Sequence, residues 1–250
     1  RVLPELSRRL PVVLTLHDGW LLSGHCAHSF DCGRWLTGCG ACPDLAVYPP
    51  VRRDATARNW LRKQEIFRRC RLHVATPSRW LMDRVLQSIL VPGITEAKVI
   101  PNGVDRTIFR PGDKQASRAA LGLPQDAAVL LFSGYGVRRN PWKDYPTMRE
   151  AVGRLANRCG DRSVLFVPLG EDGPGERLGT AEIRPAPFVS DPAAVARYYR
   201  AADVYVHAAR ADTFPNSVLE ALACGTPVAA TATTPAPRAP IPPPTPALVR

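Results

Sequence analysis

Apolar and polar positions along this chain follow two periods that take turns. Short apolar runs of strand length occur at residues 11–16, 72–75, 127–133, 163–169, 183–189 and 204–206. Between them, apolar residues recur every three to four positions, as on a helix with one buried face. This holds at 54–70, 76–88, a stretch ending near 157, 192–202 and 216–224. In the first of these Trp60, Leu61, Ile66 and Phe67 make the apolar side, and Arg and Lys fill the rest. Alternating strands and helices predict an α/β fold with parallel, doubly wound sheets, because a parallel strand pair needs a crossover and a helix supplies it. Gly225, with Pro227 just beyond it, marks the end of the last helix. After Thr231 both periods stop. Residues 232–250 hold seven prolines and no acid, so a disordered or polyproline-like tail is expected there.

Composition narrows the class. The 250 residues are 45% hydrophobic and 22% charged, as in a soluble globular protein. No apolar run approaches the roughly 20 residues of a membrane span. The net charge of +11 points to anionic partners: nucleotide phosphates, an acidic membrane face or nucleic acid. The chain opens on Arg1 and is expected to be a piece of something longer.

Candidate chemistry gathers after the strands, since ligands of parallel sheets collect at strand carboxyl ends. Asp212 and Glu220 stand eight positions apart around the start of the last helix, whose free N–H groups suit phosphate or sugar oxygens. Ser217 to Glu220 also has capping-box spacing, and the residues alone leave both readings open. Gly134-Tyr135-Gly136 follows the run 127–133, with Arg138, Arg139 and Lys143 behind it. Glycine allows close backbone approach, and two cations can clamp a diphosphate. It lacks the spacing of a Walker loop. His17 and Asp18 follow the run 11–16 in the same way, while Glu171 and Asp172 read as ordinary loop acids. Cys26, Cys32, Cys39 and Cys42 lie within 17 residues, with His25 and His28 beside them. Structural zinc, reduced thiols and two disulfides are all open for them, and four thiolates would leave zinc no catalytic position.

Two stretches carry a family resemblance. Residues 203–228, with Asp212, Glu220 and the continuation Glu-Ala-Leu-Ala-Cys-Gly-Thr-Pro-Val, are similar to the acid-x7-acid signature of family 4 glycosyltransferases. Asp212 stands there for the more usual Glu. Residues 98–105, with Pro-Asn-Gly-Val-Asp, resemble the family's passage from first to second domain. The resemblance implies a GT-B fold, two Rossmann-like domains with parallel sheets, the N-terminal one incomplete. The expected layout is 1–110 as the acceptor-side domain with a Cys-rich insert at 24–43, 111–126 as a linker and 127–231 as the donor domain. It further implies retaining transfer of a hexose from a nucleoside diphosphate sugar to a saccharide or lipid-linked acceptor, as in polysaccharide biosynthesis, with no catalytic metal. Asp212 would then lie by the transferred sugar and Glu220 on the ribose. Arg138, or Arg139 in its place, and Lys143 would grip the diphosphate. Gly134 and the backbone near Phe214, Asn216 and Ser217 would line the donor, and His17 would serve from the first domain. A cytoplasmic location with peripheral contact to an anionic inner membrane face follows as an expectation. Two rivals stand beside this reading: an inactive remnant of such an enzyme, and a zinc-stapled basic nucleic-acid-binding module. The scattered rather than clustered Arg and Lys speak against the second, so no nucleic acid is expected.

Overall fold

A computed structural model describes residues 2–140, 142–160 and 162–231. The proline-rich tail expected at 232–250 lies outside them. The described residues fall into two compact units that divide between Asn102 and Gly103.

The first unit carries helices α1 (Val2–Arg9), α2 (Arg34–Thr37), α3 (Thr56–Phe67) and α4 (Arg79–Val85), and strands β1 (Val12–Thr15), β2 (Leu72–Thr76) and β3 (Ile94–Val99). The strands form a parallel sheet in the order β1-β2-β3. Central β2 buries Leu72 and Val74 against Trp60 and Phe67 of α3 and Leu81 of α4. α4 starts where Ser78 accepts the Leu81 N–H at 3.3 Å, a hydroxyl N-cap. β3 is a strand that the apolar pattern does not announce. It reads Ile-Thr-Glu-Ala-Lys-Val, is half exposed at the sheet edge, and carries Glu96 paired to Lys98 at 2.6 Å.

The second unit holds a six-stranded sheet in the order β6-β7-β5-β4-β8-β9. Its strands are β4 (Ala128–Ser133), β5 (Val164–Leu169), β6 (Glu176–Leu178), β7 (Ala181–Ile183), β8 (Val204–His207) and β9 (Val228–Ala230). β5 is buried at every position, which its unbroken apolar run anticipates. Helix α6 (Tyr145–Ala156) packs Met148 and Val152 on Phe132, Val164 and Phe166. Helices α7 (Pro192–Ala201) and α8 (Asn216–Ala223) pack Ala196, Tyr199 and Ala221 with Val129, Leu131 and Tyr205. The unit is therefore doubly wound.

Three expectations need correction. The run 183–189 is not a strand: β7 ends at Ile183, because Pro185 and Pro187 have no N–H to give a ladder, and only Ala186 bridges to Leu169. The sheet is not wholly parallel either, since β6 pairs with β7 antiparallel through a turn at Gly179, whose φ is +61°. Finally, the expected linker 111–126 contains helix α5 (Lys114–Ala120), N-capped by Asp113, whose carboxylate accepts the Ala116 N–H at 2.9 Å. Phe109 and Leu123 flank it inside the core of the second unit. The residues that α5 buries are Ser117 and Arg118, so no apolar period betrays it.

Candidate active site at the carboxyl ends of β4 and β8

The loop after β4 is fastened before any side chain is considered. Gly134 N–H donates to the Leu169 carbonyl and Gly136 N–H to the Gly170 carbonyl, both at 2.9 Å, so the loop tracks the end of β5. Gly136 adopts φ +57°, a conformation that favours glycine. Arg138 N–H donates to Glu171 Oε2 at 2.9 Å, and Glu171 is buried. Glu171 is thus an anchor for the loop rather than the ordinary loop acid expected. Further along, Asp144 N–H donates to the Ala208 carbonyl at 3.1 Å and Arg210 N–H to the Trp142 carbonyl at 2.9 Å. These two bonds stitch the β4 loop to the exit of β8.

That stitching brings Lys143 to Asp212. Lys143 Nζ donates to Asp212 Oδ2 at 2.8 Å, and both side chains are 17% exposed. The structure does not join Arg138 to this pair. The Arg138 guanidinium donates to the Pro174 carbonyl at 3.0 Å and lies 5.8 Å from the Tyr145 ring centre. Arg139 is exposed. His207, which closes β8, was not among the expected site residues. It is buried, and its Nε2 lies 3.6 Å from the same Asp212 oxygen that Lys143 holds.

The start of α8 settles the capping question. Its N-cap is Pro215, without a side-chain cap bond, and Ser217 is the second helical residue. The capping box is not formed. Ser217 Oγ instead accepts from the Tyr205 hydroxyl, and Glu220 Oε2 accepts from the Tyr199 hydroxyl, each at 2.8 Å. Burial, followed by Tyr205 and Glu220 nearby, pushes the Tyr199 phenol well above its ordinary range, so it remains a donor. Phe214 is half-buried in the loop before α8, and Asn216 opens the helix in an exposed position. Removing only the Tyr199 hydroxyl, in Tyr199→Phe, should lower stability by about 1.5–3 kcal/mol, the scale of a hydrogen bond to a charged group. Urea unfolding of the two proteins measures that difference.

His17 and Asp18 belong to the first unit. Both are exposed after β1, and Asp18 Oδ1 accepts the Trp20 N–H at 2.8 Å, a local turn bond. Gly134, Lys143, Asp212, Phe214, Asn216, Ser217 and Glu220 all belong to the second unit.

The zinc expectation is not supported. Cys26, Cys32, Cys39 and Cys42 do line one pocket with His25 and Trp35. Yet among the described residues no three His, Cys, Asp or Glu side chains converge to hold an ion. Two of the sulfurs have local partners. Gly24 N–H donates to Cys39 Sγ at 3.2 Å, while Cys42 Sγ lies 3.4 Å from His25 Nε2 and from the Asp44 carbonyl. Burial raises the thiols of Cys26 and Cys39 above their ordinary range. The rival reading as a zinc-stapled module loses its staple with this.

Comparison with known proteins gives the site a context. Residues 127–242 match the family described as Glycosyl transferases group 1. The chain is 39% identical over 142 residues to D-inositol 3-phosphate glycosyltransferase 2 of Catenulispora acidiphila, covering 51% of this chain and 33% of that protein. It is 29% identical over 226 residues to the putative colanic acid biosynthesis glycosyl transferase WcaC of Escherichia coli, covering 88% of this chain and 51% of the relative. The chain therefore spans between a third and a half of the length of these curated relatives. Among solved structures, HepE of Anabaena in complex with UDP and glucose superposes with TM-score 0.55 at 20% identity, over 89% of this chain and 53% of that one. Sucrose-phosphate synthase of Thermosynechococcus elongatus gives TM-score 0.52 at 23% identity, over 73% and 46%. The fold is that of GT-B glycosyltransferases, with two Rossmann-like units.

Proposed function

We propose, for a chain that belongs over residues 127–242 to the group 1 glycosyl transferases, that it transfers a hexose with retention from a nucleoside diphosphate sugar to a saccharide or lipid-linked acceptor. The unit from Gly103 onward would bind the donor, and the unit up to Asn102 would serve the acceptor side. The observation that carries this reading is the Lys143–Asp212 pair, at 2.8 Å, beside the N-terminus of α8 and with Glu220 in that helix's second turn. A cation, a carboxylate and a helix N-terminus at strand carboxyl ends are what a diphosphate sugar needs.

In this reading Lys143 leaves Asp212 for the diphosphate and stabilises the negative charge that builds on it as the glycosidic bond breaks. Arg138 supplies a second cation once its guanidinium swings from the Pro174 carbonyl. Asp212 accepts from sugar hydroxyls, with the backbone from Phe214 to Ser217 beside it. Glu220, oriented by the Tyr199 hydroxyl, accepts from the ribose. No step here is assigned to a metal. His17 belongs to the first unit, and a role for it in the transfer is part of the proposal. Support for the donor comes from HepE, whose structure contains UDP and glucose, and for a polysaccharide setting from the name of WcaC. A cytoplasmic location with peripheral contact to an anionic membrane face belongs to the same proposal, and rests on the net charge of +11 and exposed Arg58 and Arg62 on α3.

Calorimetric titration of the folded chain with UDP, GDP and ADP tests the donor site. Saturable binding of one diphosphate, lost in Glu220→Ala, is the expected result. A chain that unfolds cooperatively yet binds none of the three overturns the reading and leaves a remnant.

A further inference from the structure

We infer that His207 is a positioning residue for Asp212, taking hold of its carboxylate when a donor diphosphate draws Lys143 away, and taking up a proton to do so. The inference rests on the proposed diphosphate site, and it starts from an anomaly. His207 is 3% exposed, and neither of its ring nitrogens has a hydrogen-bond partner. Its ring stacks on Phe132 at 6.2 Å and on Tyr205 at 6.1 Å, a place where an apolar ring would fit as well. Asp212 Oδ2 lies 3.6 Å from its Nε2 and is already held by Lys143 at 2.8 Å. One carboxylate oxygen thus has two suitors, and in the free protein the lysine wins.

The groups around His207 decide its charge. Lys143 faces it from the loop after β4 and Asp212 from the loop after β8. The Tyr205 hydroxyl is turned away to Ser217, and Phe132 carries no charge. Asp144 and Arg210 on the same two loops lie 3.8 Å from each other. Burial and then Lys143 hold the imidazole below its ordinary range, against the pull of Asp212, so it rests neutral.

A diphosphate reverses the balance. It engages the Lys143 charge, adds negative charge of its own, and leaves Asp212 Oδ2 without its ammonium. One proton passes from solvent to the His207 ring, and the new N–H donates to Asp212 Oδ2. No covalent bond other than N–H forms, and nothing is oxidised. Asp212 is thereby kept in place for the sugar instead of following Lys143. By linkage, a pKa that rises on binding means that affinity increases as pH falls through the bound-state value and levels off below the free-state value.

The test is calorimetry with the glucose conjugate of whichever nucleoside diphosphate binds, near pH 6.5, in buffers of different ionisation enthalpy. The conjugate is used because its diphosphate exchanges no proton near neutrality, unlike the free nucleotide. Uptake of a substantial fraction of one proton is expected in the parent, with none in His207→Phe, which keeps the ring stack, and with affinity at pH 8 preserved in that variant. Binding without proton uptake, or equal uptake in His207→Phe, overturns the inference while leaving the donor site standing. Failure of the parent to bind overturns both. Should His207→Phe not fold, ring-proton NMR of the parent's five histidines decides: one must titrate higher in the bound state, and its absence refutes the role.

Discussion

The Lys143→Ala protein is expected to bind the nucleoside diphosphate about 30- to 1,000-fold more weakly than the parent. This corresponds to the 2–4 kcal/mol typical of truncating one member of a desolvated charge pair. Two effects add. The cation that meets the diphosphate is gone, and Asp212, whose side chain is 17% exposed, is left to repel the incoming anion. The loss should be larger at pH 6 than at pH 8. Without Lys143 the His207 ring loses a repulsive neighbour and keeps an attractive one, so it protonates more readily before the donor arrives and acidification strengthens binding less than in the parent. Calorimetric dissociation constants at the two pH values check both statements. An affinity within about threefold of the parent, less than 0.7 kcal/mol, would remove Lys143 from the diphosphate site.

The Arg118→Ala protein should lose about 3–5 kcal/mol of stability, the scale for breaking a buried ion pair from one side. Arg118 is 4% exposed. Its guanidinium donates to Asp203 Oδ2 at 2.7 Å, the Ala201 carbonyl at 3.0 Å and the Ala127 carbonyl at 3.2 Å. Alanine would orphan those carbonyls and leave Asp203 to Lys114 and the Val129 N–H, each at 2.9 Å. Such a loss is a large part of the 5–15 kcal/mol of a typical domain. Acid sensitivity gives a second reading of the same network. Burial alone would raise Asp203, but Lys114, the Val129 N–H and Arg118 together hold it below its ordinary 3.8. Its contribution is therefore fully present above 3.8 and is lost as pH falls through the folded-state value. Urea titrations at pH 7 and pH 3 should show the parent losing more on acidification than Arg118→Ala.

How far the sequence could be read depends on what each element buries. β5 and β8 were visible because buried parallel strands are apolar runs, and α7 and α8 because one face of each is apolar. α5 was hidden since its inward residues are Ser117 and Arg118, held by hydrogen bonds and charge. The β6–β7 hairpin was hidden because three-residue strands carry too few positions to show a period. In the site, spacing nominated Lys143, Asp212 and Glu220 singly. Spacing does not show that a lysine and a carboxylate 69 positions apart share a bond, because the stitching that joins them runs through backbone groups. Ser217 to Glu220 has capping-box spacing, but Pro215 takes the cap and shifts Ser217 into the helix. His207 carried a usable signal, a histidine ending an apolar strand, the same sign that nominated His17. The Cys-x2-Cys spacing meets the pattern of a zinc chelate, yet among the described residues no three ligands converge on one point.

Helix α5, within the second unit, also decides where this polypeptide can be cut. Residue 127, where the apolar strand pattern resumes, looks like a natural starting point for a shortened version of the donor unit. A piece begun there would leave behind Phe109, Leu123 and the whole of α5. It would uncover the α7 surface around Ala196 and Tyr199 to water, a sticky patch that favours precipitation. A soluble fragment starts no later than Gly103.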